Sequence, residues 1–209
     1  MEFKLRLRRE VLLIGGFMKK LSLAVVAGFL AAVGSAHAEM NVDALVTQIA
    51  TVTITANPVA NMINWKVGDY QDLNLTMQSM PLGTVHKEAS SEEGNAVWIK
   101  ETMAGQMIGN HTVEELIDRA TAKVLKLKQD GQDKPIPDDK LEIINQETAT
   151  VTVPAGTFQT IHITAKSQQA GQIEVWANPK AIVLDGTAKM AMTANGMPIG
   201  MELTKFGSK

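Results

Sequence analysis

One stretch, residues 147–166, constrains the fold most, because it has the pattern of two β-strands joined by a turn. Apolar and polar residues alternate on both sides of Pro154-Ala155-Gly156, which is typical of a β-hairpin. Proline suits the first position of the turn, and glycine suits the left-handed position of a three-residue loop. We place Val151 on the apolar face together with Ile161 and Ile163. The hairpin therefore predicts an antiparallel sheet with one apolar face and one wet, threonine-rich face.

Similar alternating runs fill most of the chain after residue 65, and turn signals separate them roughly every 8–12 residues. The turns include Pro81-Leu82-Gly83, the polar stretch 90–95 and Asn195-Gly196, while residues 132–140 are expected to form an exposed loop. We therefore predict a mainly β fold: a curved antiparallel sheet or incomplete barrel of about ten strands.

Residues 112–128 fit two structures. Apolar residues recur there at helical spacing, and Thr112 followed by Glu115 resembles a capping box. The end of the segment instead alternates like a strand that leads into an Asp130-Gly131 turn. We favour two strands joined near residues 119–121, because the neighbouring segments all have hairpin patterns.

The N-terminal residues have the layout of a secretory signal. Met18-Lys19-Lys20 provides a positive start, residues 21–33 are apolar, and Ala36-His37-Ala38 provides a cleavage site after Ala38. The 13 apolar residues are too few for the roughly 20 that span a bilayer, so we expect no membrane span after cleavage. Residues 1–17 are a start-site extension, a vector remnant or a long basic beginning of the signal.

The chain is therefore expected to have three parts. The absence of cysteine leaves no lipid-attachment residue, so we expect a free periplasmic or secreted protein of bacterial origin. The arm after the cleavage site contains a candidate short helix at 41–50, followed by alternation at 51–55. The parts are a leader at 1–38 (extension 1–17, signal 18–38), an N-terminal arm at 39–64 and an antiparallel β domain at 65–209.

Charge argues against nucleic acid as a partner. The first 38 residues hold six of the 20 Lys and Arg and two of the 22 Asp and Glu, which leaves 14 against 20 from Glu39 onward, a difference of −6. Arg119 is the single arginine in that part of the chain. Nucleic-acid recognition relies on a basic field and arginine forks.

No motif indicates an enzyme. His86, His111 and His162 show no metal-ligand spacing, and His162 falls with Thr160 on the predicted wet face. No serine lies in a Gly-x-Ser-x-Gly turn, no glycine-rich phosphate loop occurs, and Glu114-Glu115 is expected to point to opposite faces of a strand. We therefore expect no catalytic residue, no metal and no cofactor.

Methionine is common, at 12 residues, while aromatic residues make up 4%. Flexible methionine side chains suit irregular apolar surfaces that accept varied partners. Ordinary core packing is the alternative role for most of them. The candidate residues for an apolar ligand are Leu73, Leu75, Met77, Val151, Ile161, Ile163, Met190, Met192 and Met201.

Three stretches carry a resemblance to known proteins: residues 65–70 (WKVGDY), 152–160 (TVPAGTFQT) and 175–179 (VWANP). They resemble a group of bacterial periplasmic proteins of unknown function, which are similar in architecture to the lipoprotein-carrier proteins. The resemblance covers residues 65–206 and implies a curved sheet around a helix-covered apolar cavity. The carriers are said to use a cavity arginine, and no residue here matches it, so no functional residue is transferred.

Two functions follow as hypotheses. The first is a periplasmic carrier or binding protein for an apolar ligand, such as a lipid or a lipoprotein acyl chain. The alternative is a non-enzymatic envelope scaffold or protein-interaction module, in which the wet face or an edge strand docks a partner. A filled interior would favour the second hypothesis over the first.

Overall fold

The computed structural model describes residues 65–137, 141–167, 171–194 and 196–209. In these residues the chain forms eleven β-strands and no α-helix. The helix predicted at 41–50 and the strand predicted at 51–55 lie outside the described residues. The strands are β1 (Asp69–Met77), β2 (Met80–Glu93), β3 (Ala96–Gly105), β4 (Gly109–Asp118), β5 (Val124–Gln129), β6 (Gln132–Lys134), β7 (Glu142–Val153), β8 (Gly156–Ser167), β9 (Gly171–Ala177), β10 (Thr187–Ala194) and β11 (Met197–Ser208).

All eleven strands belong to one antiparallel sheet, in the order β6-β5-β4-β3-β2-β1-β11-β10-β9-β8-β7. Two meanders, β1 to β6 and β7 to β11, meet where the first strand pairs with the last. Among the described strands, the edges β6 and β7 do not pair, so the sheet is not closed into a barrel. The predicted mainly β, open antiparallel sheet is confirmed. No helix that could cross a membrane occurs in these ranges.

The central strands bury one continuous apolar face, which we call the inner face. Residues directly opposite each other in register point to the same side of a sheet. Leu75 pairs with Met201, Met201 pairs with Met190, and Met190 pairs with Val175. Burial of each such side chain stabilises the fold by about 1.5–3 kcal/mol, so this row of residues is a main source of stability.

The tip of the β7–β8 hairpin bends onto β11 and covers part of the inner face. The Ala155 N–H donates to the Leu203 carbonyl at 3.0 Å. The ring of Phe158 packs edge-to-face on Phe206, with 6.0 Å between ring centroids. Val153 joins the same apolar cluster as the central strands. The hairpin is therefore part of the core packing as well as an edge of the sheet.

The loop 178–186, between β9 and β10, packs on a second apolar cluster. Leu184 of this loop packs with Trp65, Ile99 and Ile117, all of which are buried. The loop is held in shape by its own backbone, since Asn178 N–H donates to the Gly186 carbonyl at 2.8 Å. It therefore forms a rigid cover over the inner face of β3 and β4.

The β7–β8 hairpin has a two-residue loop instead of the predicted three-residue loop. As a result, Val151 lies opposite Phe158, and Ile161 lies opposite Thr148. A change of one residue in the pairing moves a whole strand's side chains to the other face. Ile161 and Ile163 therefore lie on the opposite face of the hairpin from Val151, and the prediction that the three share a face is wrong.

The turn predicted at residues 81–83 is also wrong, because these residues belong to β2. The chain turns instead at Gln78 and Ser79, whose φ angles are 52° and 65°. Two successive residues with positive φ match the twist of paired strands in a tight hairpin. Pro81 is tolerated in β2 next to a bulge, where the register with β1 shifts around Leu82.

Other turn predictions have mixed outcomes. The loop predicted at residues 90–95 is shorter in the structure, because β2 extends to Glu93 and the chain turns at Gly94 and Asn95 before β3. Within the loop predicted at 132–140, residues 132–134 form β6. Residues 112–128 do form two strands, separated by residues 119–123, as favoured from the sequence. The predicted hairpin between β10 and β11 is confirmed by the pairing of Ala194 with Met197.

Replacing Gly186 with Ala is expected to lower the free energy of unfolding by about 1–3 kcal/mol. The φ angle of Gly186 is +77°, and a Cβ there would lie 2.3 Å from the backbone nitrogen of Pro179. Gly94→Ala is the matched control, because its φ is +61° and nothing lies within 4 Å of the added Cβ. Urea denaturation of both variants measures the difference. Equal losses in the two variants would contradict the close approach at Pro179.

Candidate functional site

The predicted apolar-ligand residues of the central strands lie together in the core. Their exposed fractions are between 1% and 8%. Val151 packs against this cluster and is partly buried. Ile163 is buried opposite Val175, and Ile161 is half-buried opposite Ala177. The residues that share the central cluster are Leu73, Leu75, Met77, Met190, Met192 and Met201.

A cleft of about 250 Å³ lies elsewhere, beside the 178–186 loop. Its lining comes from Trp65, Lys66, Asp69, Ser208 and residues 179–184. None of the predicted apolar-ligand residues lines it. The side chains proposed from the sequence and the cleft seen in the structure therefore belong to different parts of the domain.

A buried ion cluster was missed by the sequence-based predictions. Gln71, Lys87 and Glu101 lie side by side on the inner face of β1, β2 and β3. The Lys87 Nζ is 2.5 Å from Oδ2 of Asp185 and 3.0 Å from Oε1 of Glu101. All of these side chains are at most 3% exposed, so the ion pairs are closed off from solvent. Glu115 of β4 is buried on the same face, two strands from Lys87.

This cluster ties the 178–186 loop to the sheet. The Gln71 Nε2 donates to the Val183 carbonyl at 2.7 Å and to Oδ1 of Asp185 at 3.2 Å. The Thr187 N–H donates to the same Oδ1 at 2.9 Å. Asp185 is therefore bound from three sides, by β1, by β2 and by the start of β10. The C-terminal part of the loop is therefore fixed to the sheet through Val183 and Asp185.

The ionisable groups of the cluster differ in the direction in which their pKa values are shifted. Burial raises the pKa of Asp185, but the Lys87 ammonium more than offsets this effect and leaves the pKa below its ordinary value. Burial would lower the pKa of Lys87, yet Asp185 and Glu101 together raise it. Burial raises the pKa of Glu101 despite its contact with Lys87. Asp185 and Lys87 therefore form the ionised pair at neutral pH.

Glu115 has no cation of its own within the cluster. Burial, followed by the nearby Glu101 carboxylate, holds the pKa of Glu115 well above its ordinary value. Its Oε2, together with Oε2 of Glu101 and Oε1 of Gln71, has no hydrogen-bond partner within the described ranges. Because a buried unpaired charge is costly, the folded protein favours the protonated form of this carboxyl more than water does.

The chemistry of this cluster is that of a structural ion pair. The Lys87 ammonium lies between the carboxylates of Glu101 and Asp185 and balances their charge. In the part of the chain that the structure describes, no group of three or more His, Asp and Glu side chains could hold a metal ion. One sequence signal pointed to the cluster: Lys87 and Glu101 are in phase with the apolar residues of their own strands.

The edge strand β7 is the most exposed long element of the sheet. It has twelve residues and pairs with β8 alone among the described strands. Every residue from Glu142 to Thr148 is exposed. Ile143 and Ile144 are 52% and 59% exposed, and the register with β8 shifts between Ile143 and Asn145. Among the described residues, the outer edge of β7 thus has unpaired backbone groups, and the exposed side chains of Ile143 and Ile144 lie beside them.

The three histidines lie on different strands, and each contacts carboxylates. His86 Nδ1 is 2.5 Å from Asp72, and His111 Nδ1 is 3.0 Å from Asp130. His162 stacks on Trp176 with 4.2 Å between ring centroids. The predicted wet face around His162 is only partly exposed: Thr160 is buried, because the twisted hairpin covers it and its hydroxyl donates to the Ala149 carbonyl at 2.9 Å.

Comparison of the sequence with protein-family models gives no match. Comparison with curated proteins gives no match either. Solved structures that are distantly similar include a Bacteroides fragilis protein described as exported and as having a YmcC-like fold. It is 10% identical over 69% of this chain and 97% of its own, with a TM-score of 0.44.

Two further structures have similar values. The hypothetical protein CT021 from Chlamydia trachomatis is 8% identical over 71% of this chain and 90% of its own, with a TM-score of 0.47. MucB is 10% identical over 81% of this chain and 60% of its own, with a TM-score of 0.40. All three TM-scores are below 0.5, so no argument about this chain rests on them. The resemblance to lipoprotein carriers stays a prediction.

Proposed function

We propose that this chain acts in the bacterial periplasm, or after secretion, as a non-enzymatic protein-interaction module. Its partner adds an extended segment along the free edge of β7. The leader at residues 18–38 supports the location. The observation that carries the proposal is the edge strand itself, which is long, exposed and apolar at Ile143 and Ile144.

The packing of the inner face favours this function over carriage of an apolar ligand. A carrier buries its cargo on apolar surface that is open before binding. Here the hairpin tip and the 178–186 loop both pack on apolar core clusters. The candidate ligand residues of the central strands are at most 8% exposed. The exposed edge at β7 is therefore better placed to meet a partner than the packed inner face.

The composition of β7 indicates the kind of segment that would bind. Natural edge strands are usually protected by lysine, proline or short length. The sequence of β7 contains no lysine, arginine or proline, and its charged residues are Glu142 and Glu147. A second copy of β7 would bring like charges together, which is unfavourable across paired strands. The expected partner is an extended segment with lysine or arginine between apolar residues.

An alternating Lys–Val peptide of about eight residues tests the proposal, because that length matches an ordinary strand. The labelled peptide is titrated with the purified chain, and fluorescence anisotropy measures binding. Ile144→Lys adds a positive charge to the edge and is expected to weaken binding about tenfold or more. Leu125→Lys is the matched control, since Leu125 is 49% exposed on β5.

Hydrogen exchange provides the second measurement. Strand addition protects the free amide groups of β7, so their exchange should slow when the peptide binds. An alternating Glu–Val peptide should bind much more weakly to the acidic edge. Equal binding of the Lys–Val peptide to the Ile144→Lys and Leu125→Lys variants would contradict the proposal. Protection away from β7 would contradict it as well.

Carriage of a lipid or an acyl chain is the second candidate. Its support is the neighbouring methionines Met190, Met192 and Met201 in the core, because methionine adapts to varied apolar partners. The core would have to open, and each CH₂ of the ligand would then contribute about 0.8 kcal/mol. Lipid mass spectrometry of the natively purified chain is the test. A chain free of lipid that also fails to bind a fluorescent fatty acid would exclude this function.

A further inference from the structure

The cleft beside the 178–186 loop is lined by both polar and apolar groups, and two lysines lie at it. Trp65, Ile182 and Leu184 contribute to its wall, and each is largely buried in the domain. Lys66 and Lys180 are exposed at the same cleft. Within the described part of the chain, neither ammonium group has an ion-pair or hydrogen-bond partner. Two lysines whose ammonium groups are not held by the described part of the protein therefore lie at the cleft.

The carboxylate in the lining is already bound by the protein. Asp69 Oδ2 accepts the Lys66 N–H at 2.8 Å, and its Oδ1 accepts a hydrogen bond from the Ser208 hydroxyl. Asp69 is 5% exposed, so it is part of the wall and is not a free charge in the opening. The lining thus has a net charge of +1 from two lysines and one aspartate. A ligand with one negative charge matches this balance.

The wall of the cleft is held in place before any ligand arrives. The Asn178 side-chain oxygen accepts the N–H groups of Lys180 and Ala181, each at 3.1 Å. The same loop is fixed to the sheet through Asp185 and Lys87. A wall that is ordered in advance loses little freedom on binding, which favours affinity for a small ligand.

We propose that this cleft binds a compact organic monoanion: a carboxylate with a small apolar body. The apolar body would contact Trp65 and Ile182, and the carboxylate would lie between the ammonium groups of Lys66 and Lys180. The cleft volume of about 250 Å³ is just below the roughly 300–1,000 Å³ of drug-sized sites, which limits the ligand to a compact molecule. This site is separate from β7 and does not depend on the function proposed for that edge.

Phenylacetate is the probe, and 2-phenylethanol is its uncharged counterpart. Binding to the purified full chain is followed by calorimetry and by the NMR shifts of residues 179–184. Phenylacetate is expected to bind at least about tenfold more tightly than 2-phenylethanol, because a charge-assisted contact is lost with the alcohol. The double substitution Lys66→Gln and Lys180→Gln should remove this preference.

Two further variants make the result decisive. Lys123→Gln with Lys134→Gln removes the same total charge from exposed lysines outside the cleft and should leave binding unchanged. Ala181→Trp fills the cleft from an exposed wall position and should abolish binding. The proposal is overturned if both double variants weaken the binding of phenylacetate equally, or if the Ala181→Trp variant binds phenylacetate as tightly as the wild-type chain. It is also overturned if millimolar phenylacetate leaves the NMR shifts of residues 179–184 unchanged.

Discussion

Replacing Lys87 with Met is expected to lower the free energy of unfolding by about 3–5 kcal/mol, because it leaves Asp185 buried without its cation. Lys87 and Asp185 are both at most 3% exposed, and their charged atoms are 2.5 Å apart. The loss should appear in urea denaturation as a lower midpoint. Asp185 also accepts a hydrogen bond from Gln71 and so helps to hold the 178–186 loop on the sheet. In the variant, the amide groups of this loop should therefore exchange faster than those of the strands.

Removing both charges distinguishes an ion pair from simple packing. The double variant Lys87→Met with Asp185→Asn keeps an oxygen that can accept the Thr187 N–H. It should recover much of the stability lost by Lys87→Met, because no unpaired buried carboxylate remains on the loop. Lys100→Met is the control, since Lys100 lies one residue from Glu101 on the opposite face of β3. Additive losses in the double variant would contradict the coupling between Lys87 and Asp185.

The strands themselves could be predicted because their signals are local. Alternation of apolar and polar residues defined β8, β9 and β11, and Asn195-Gly196 identified the turn before β11. The local signals of residues 112–128 fitted both a helix and two strands, and the hairpin patterns of the neighbouring segments decided correctly for two strands. Such signals depend on residues a few positions apart, and a single sequence contains them in full.

Register and long-range pairs could not be predicted in this way. A loop after Val153 that is longer or shorter by one residue decides whether Ile161 lies on the same face as Val151. The sequence Pro154-Ala155-Gly156 is compatible with either loop length. The ion pair joins Lys87 to a residue 98 positions later. Alternation shows that Lys87 is in phase with Val85 and Ala89, but it does not reveal which loop supplies the carboxylate.

The pH dependence of stability should separate Glu115 from the other acids of the sheet. A carboxyl group whose pKa is raised in the folded state binds its proton more tightly there than in the unfolded chain. The stability that Glu115 contributes is therefore complete below the ordinary pKa of 4.5 and is lost as the pH rises toward the folded value. Asp185 has the opposite sign: its contribution is present above 3.8 and is lost in acid. Lys87, with a raised pKa, keeps its contribution throughout the neutral range.

Glu115→Gln is expected to remove a large part of the decline in stability as the pH rises above the ordinary glutamate pKa of 4.5, because the amide stays neutral throughout. Urea denaturation at several pH values measures the free energy of unfolding of the wild-type chain and the variant. Glu114→Gln is the matched control, since it makes the same substitution at the neighbouring, less buried position of β4. The control should keep the wild-type slope. Parallel profiles for the two glutamine variants would contradict the raised pKa of Glu115, because the buried carboxyl would then titrate like the less buried one.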